Sequence, residues 1–157
     1  GKISLTIPVE KGRGSKKLMK DVKIAYYQNW QDNHLKALTA AYKSSPYFEY
    51  YIDELMPFYS KKWKFLIEFN LALQSTILEQ VEGDFSIELS TAFGQPACGA
   101  NLTDIIHPKR DHLSDDLEFV IKPYHQVFEG KFGFMPNLSI VDLLFNKGPE
   151  SIFFLKR

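Results

Sequence analysis

The chain has 157 residues, with 19 basic and 19 acidic side chains and a formal net charge of zero. Apolar residues make up 45% and charged residues 24%, which excludes a disordered polyelectrolyte. Zero net charge argues against a nucleic-acid carrier, which needs excess Lys and Arg, and no apolar run approaches the ~18 residues of a membrane-spanning helix.

From the first residue, Ile3, Leu5, Ile7 and Val9 alternate with polar residues, the period of a half-buried strand. Gly1 in place of Met, directly before a strand, points to a fragment. Glu10 to Lys20 reads as an exposed loop in which Lys11, Arg13, Lys16 and Lys17 surround Gly12, Gly14 and Ser15. Such a loop can cradle phosphate, but its spacing is not that of a P-loop, and a solvated hairpin connection fits better. Asp21 to Tyr26 alternates again and is expected to pair antiparallel with the first strand. A helix is expected from Asn29 as N-cap, with Trp30, His34, Leu38, Ala41 and Tyr42 on one face. Pro46 suits the start of a second helix, whose stripe is Tyr47, Phe48, Tyr51, Ile52 and Leu55 and which should end or kink near Pro57. Trp63, Leu66, Phe69, Asn70, Leu73, Ile77 and Val81 predict a third helix, stopping at Gly83.

Phe85 to Ser90 alternates as a strand, Gly94 to Asn101 is turn-rich, and Asn101 to Ile106 reads as a short helix. Leu117 to Pro123 suggests another strand. Leu138 to Asn146 is a buried helix, and Pro149 can open a last one reaching Leu155. With no repeats or linkers, the reading is one α+β domain over residues 1–157, with an N-terminal β-hairpin, three central helices and a buried C-terminal helix. The 13 Phe, 8 Tyr and 2 Trp imply a bulky core or an oligomer interface.

No familiar catalytic spacing is present. His34, His107, His112 and His125 form no metal-binding pair, and Cys98 has no cysteine partner, so neither metal nor cofactor is expected and a reducing, cytoplasmic setting is. GxSxG and GxGxxG are also missing. Three polar residues stand inside apolar runs: Asn70, Gln126 and Asp142. A buried polar group left unpaired costs about 1–3 kcal/mol, so each must be satisfied structurally or serve a polar pocket, with Asp142 as base or ligand anchor. The structural reading is favoured.

The stretch Tyr124-His125-Gln126-Val127-Phe128, then Gly133-Phe134-Met135-Pro136-Asn137-Leu138-Ser139-Ile140-Val141-Asp142-Leu143-Leu144-Phe145-Asn146 and Gly148-Pro149-Glu150, resembles the closing signature of the WbqC-like protein family. Asn29-Trp30-Gln31, His34, Ala41-Tyr42, Ser45 to Tyr51, Phe69-Asn70-Leu71 and His107-Pro108-Lys109 are similar to its central helices and later loop, and the ending is similar to its Bacteroidetes-type branch. The resemblance implies a cytoplasmic bacterial protein associated with O-antigen or other surface-polysaccharide biosynthesis. It also implies a missing N-terminal segment, whose loss would expose an edge open to self-pairing.

Among the matching positions, His34, His107 and Asp142 are candidate catalytic residues, and Lys109, Gln126 and Asn137 candidate ligand-binding residues, because polar groups amid aromatics suit a small sugar-like ligand. Two functions follow. One is a transferase-like enzyme on a nucleotide-linked amino sugar, with His107 or His34 as base and Lys109 or Lys16 and Lys17 meeting phosphate. The other is a non-catalytic binding or assembly protein of a polysaccharide system, forming a homo-oligomer through its aromatics. Family context favours the enzyme; residue spacing does not.

Overall fold

A computed structural model describes residues 2–11, 17–83, 85–90 and 120–155. It overturns the α+β expectation. Of these residues 55% are helical and 3% lie in β-bridges, with no sheet among them. The chain divides into two compact units, Gly1–Gly83 with Pro123–Arg157, and Asp84–Lys122.

The expected hairpin reduces to one antiparallel bridge, Val9 to Ile24, held by Glu10 N donating to Lys23 O at 2.9 Å and Ala25 N to Pro8 O at 2.8 Å. Pro8 explains the short ladder. It accepts from Ala25 but has no N–H to return, so the pair makes one of its two bonds. Beyond it Ile3 and Leu5 are 66% and 38% exposed, so the alternation has no buried face to serve. On the other side, Lys23 bridges Phe65, with Ile24 N donating to Lys64 O and Leu66 N to Val22 O.

Helix α1 (Trp30–Tyr42) follows a 3-10 turn at Met19–Asp21. Asn29 is its N-cap by backbone, but its side-chain amide turns to Asp32 at 3.4 Å instead of capping an N–H. Helix α2 (Phe48–Ser60) runs through Pro57, three residues beyond the expected stop. Pro57 falls in the last turn, where the price is one lost N–H and no following turn is disturbed. Helix α3 (Leu66–Val81) ends on Glu82 at φ 56, one residue before Gly83.

Short α4 (Glu129–Phe132), α5 (Ile140–Lys147), a 3-10 turn at Gly148–Glu150 and α6 (Ser151–Leu155) complete the first unit. Ser139 caps α5 by accepting from Val141 N at 3.4 Å. In the second unit, Phe85 to Ser90 carries no regular structure, and Phe85 and Leu89 are 47% and 65% exposed. Residues 120–123 form no strand either. The helix expected at Asn101 to Ile106, with Cys98, His112 and residues 12–16, lies outside the described residues.

Two apolar clusters make the core of the first unit. One joins Phe48, Tyr51 and Leu55 of α2 with Ile77 and Val81 of α3 and with Leu144 and Phe145 of α5. Leu144 and Phe145 are fully buried, so the C-terminal helix is a centre of packing. The other groups Ile24, Trp30, Phe58 and Phe69, with Trp63 stacked on Phe58 at 5.6 Å. Gln31 ties α1 to the end of α2 by donating to the carbonyls of Phe58 and Lys61.

Candidate functional site

The residues expected to form one site fall into two places. Around α5, the segment leading into α4 sends successive side chains to different partners. His125 points outward to Glu129 at 3.0 Å, while Tyr124 and Gln126 point inward at Asp142. The Tyr124 hydroxyl donates to Asp142 Oδ2 at 2.7 Å, and Gln126 Nε2 to the same oxygen at 3.0 Å. Gln126 also grips the backbone of Met135, donating to its carbonyl at 3.0 Å and accepting from its N–H at 2.8 Å. Asn146, one turn along α5, donates to the Asp142 carbonyl at 2.8 Å.

Tyr42 closes the cluster from α1. Burial, then the charge and hydrogen bonding of Asp142, pushes its hydroxyl well above the ordinary tyrosine range. Burial and the bond to Asp142 do the same to Tyr124. Both phenols therefore stay protonated, and Tyr124 donates to the carboxylate. Tyr42, Gln126, Val127, Phe128, Met135, Leu138 and Asp142 enclose a cavity of about 20 Å³. That holds about one water molecule.

His34 lies elsewhere. It is buried against Trp30 and Tyr59, and its Nε2 is 3.1 Å from the Thr6 carbonyl. Burial lowers its pKa from 6.5, with the bond to Thr6 opposing. His34 and Tyr42 are eight residues apart on α1, about 12 Å along the axis at 1.5 Å per residue. The partners of His34 and those of Asp142 share no residue, so the two do not form a dyad.

Asn137 is exposed, in the left-handed region at φ 54, and serves the turn into α5. Asn70 is exposed on α3. His107, Lys109 and Lys16 lie outside the described residues, and Lys17 is exposed. No group of three or more His, Cys, Asp or Glu among the described residues could hold a metal ion, and no helix among them is long and apolar enough to cross a membrane.

A second concavity, an open groove of about 370 Å³, runs between α1 and α2 and is lined by Leu35, Asp53, Met56, Pro57, Tyr59 and Ser60. Asp53, Met56, Pro57 and Ser60 recur at i, i+3, i+4 and i+7, one stripe of α2. Sequence reading missed this groove, because an acidic residue on a helix surface looks like ordinary solvation. It also left Tyr42 and Tyr124 without roles. The Tyr-x-Gln spacing, which puts both side chains on one face of an extended segment, was the available signal.

Comparison with known proteins adds one assignment. Residues 1–110 match the family model described as WbqC-like protein family. Tyr124, Gln126 and Asp142 lie beyond the matched stretch. No curated protein and no solved structure matches the chain.

Proposed function

The chain belongs to the WbqC-like protein family, and from that premise we propose that it is a binding component of a surface-polysaccharide system, taking a small polar ligand of the nucleotide-sugar kind. The observation carrying this reading is that the buried polar cluster is closed on itself. The donors to Asp142 are the chain's own Tyr124 and Gln126, with Tyr42 beside them, and its cavity of about 20 Å³ is far below sugar size. The α1–α2 groove, at about 370 Å³, falls in the ~300–1,000 Å³ range of ligand sites. It is lined by Asp53, Tyr59 and Ser60 together with Leu35, Met56 and Pro57, a mixture of polar and apolar residues suited to a sugar ring. Asp142 and Gln126 then hold the C-terminal segment in place and do not meet the ligand.

Two variants separate this reading from an enzyme centred on Asp142, with melting temperature and calorimetric titration against a panel of nucleotide-sugars as readouts. Asp53→Asn should weaken binding at least fivefold and leave the melting temperature within about 1 °C. Asp142→Asn should lower the melting temperature by roughly 2–8 °C, as loss of about 1–2 kcal/mol does at this size, with affinity unchanged. A stable Asp142→Asn protein that no longer binds or turns over the ligand would return the site to α5 and favour the transferase.

A further inference from the structure

The chain as a whole is electrically balanced, but its lysines are not spread evenly. Residues 17–27 and 61–66 hold six of them, Lys17, Lys20, Lys23, Lys61, Lys62 and Lys64, against one acidic residue, Asp21, so the rest of the sequence carries a net −5. The fold brings the two stretches side by side. Leu66 N donates to Val22 O at 2.9 Å and Ile24 N to Lys64 O at 3.1 Å, while the Tyr26 hydroxyl donates to Trp63 O and accepts from Trp63 N. All six lysines are exposed. Among the described residues no ion pair reaches any of them.

Three of the ammonium groups rest on rings. Lys61 Nζ lies 4.4 Å from the ring centre of Trp63, Lys62 Nζ 5.5 Å from that of Tyr26, and Lys64 Nζ 5.2 Å from that of Phe65. A ring attracts an ammonium without neutralising it, so the positive charge stays at the surface. Apolar side chains stand among these charges. Leu18 and Met19, between Lys17 and Lys20, are 63% and 57% exposed, and Tyr27 is 69% exposed. The 3-10 turn at Met19–Asp21 packs on α3, and Met19 O accepts from Val22 N, so the turn continues the paired stretch.

We infer that this face docks on an anionic lipid bilayer. The lysines meet the headgroup phosphates, and Leu18, Met19 and Tyr27 enter the boundary between headgroups and acyl chains. Charge complementarity supplies the attraction, about fivefold in affinity for each lysine close to a negatively charged membrane. The exposed apolar residues select a bilayer over a soluble polyanion, because the bilayer gives them a place out of water. Neither stretch contains arginine, whose planar fork is the better grip on a single bound phosphate or a nucleic acid. Point cations on flexible stems suit the diffuse charge of many headgroups. Attachment of this kind is peripheral and reversible, and it weakens as salt screens the surface.

Flotation with vesicles of phosphatidylcholine containing about 30% phosphatidylglycerol, against vesicles of phosphatidylcholine alone, tests the assignment. The protein should partition onto the anionic vesicles at least tenfold more strongly and should leave them by about 0.5 M salt. Lys62→Glu and Lys64→Glu should each weaken partitioning at least fivefold. Lys43→Glu makes the same change in net charge beyond the far end of α1, about 20 Å from Trp30 along the axis, and should alter it less than twofold. Leu18→Ser combined with Met19→Ser keeps every charge and should weaken partitioning at least fivefold. Melting temperatures within about 2 °C of the wild type establish that each variant is folded. Three results would each overturn the docking: flotation that is absent or equal on the two vesicle types, equal losses for Lys43→Glu and Lys64→Glu, or full binding by the folded Leu18→Ser, Met19→Ser protein. The last would assign the lysines to a soluble polyanion.

Discussion

Asp142 shows how one charged residue can organise a segment. A carboxylate taken out of water must recover its hydrogen bonds, and here it recovers them from Tyr124 and Gln126 before α4, beside Tyr42 of α1. His34 is the counterpart in the aromatic cluster, and its burial makes stability depend on pH. Because the folded pKa lies below the unfolded value of 6.5, the unfolded chain takes up the proton first as pH falls. The His34 contribution is therefore whole above about pH 6.5 and is lost as pH drops through the folded value. Tyr42 and Tyr124 work in the opposite direction. Their folded pKa values are raised, so their contribution is whole below about pH 10 and fades at higher pH. Urea midpoints measured from about pH 8 to pH 5 should fall for the wild type and fall less for His34→Gln, which keeps an N–H for Thr6 but cannot titrate. Equal slopes for the two proteins would show that another group controls the acid limb.

At the scale of elements, α2 carries a local conflict that tertiary packing overrides. Pro57 cannot donate to the carbonyl of Asp53, yet the helix continues to Ser60. Phe58 beyond it is buried in the second cluster, stacked on Trp63, and the Phe58 carbonyl accepts from Gln31. Those contacts hold the last turn. Pro57→Ala restores the missing donor and should raise the urea midpoint by the equivalent of about 1 kcal/mol, with no loss of helical signal; a lower midpoint would mean that the ring packs in the groove more than the N–H matters. The same competition explains what the sequence could and could not reveal. Helices α1, α2 and α3 were legible because Trp30, His34 and Leu38, then Phe48, Tyr51 and Leu55, then Phe69, Ile77 and Val81, are both periodic and buried. The strands were not, because alternation at Ile3 to Val9 and at Phe85 to Leu89 reports only a period, whereas a sheet needs a partner ladder. Pro8 removes one rung, and no residue pattern announces which edges stay open. Gln126 and Asp142 could be recognised as misplaced polar residues, but their pairing with each other rests on the turn at Met135 and Asn137, which no spacing encodes.

For the whole molecule, the division at Gly83 and Pro123 is the feature with the largest consequence. Among the described residues, every member of both core clusters, and every partner of Asp142 and of His34, lies in residues 1–83 or 123–157. The cooperative core is thus assembled from the two ends of the chain, with α5 returning to fill the space between α2 and α3. Loop-closure entropy rises only slowly with length, roughly 0.6 kcal/mol per doubling, so exchanging a long connection for a short one should cost the fold little. Replacing residues 84–122 by about twelve Gly and Ser residues should therefore leave cooperative unfolding, with a melting temperature within about 5 °C of the full chain. The same protein lacks His107 and Lys109, so it also divides the functional readings. Retained nucleotide-sugar affinity would leave the α1–α2 groove sufficient for binding, whereas a folded deletion protein that binds nothing would assign recognition to the removed stretch. A deletion protein that does not fold would place part of the stabilising core in residues 84–122, outside the two clusters.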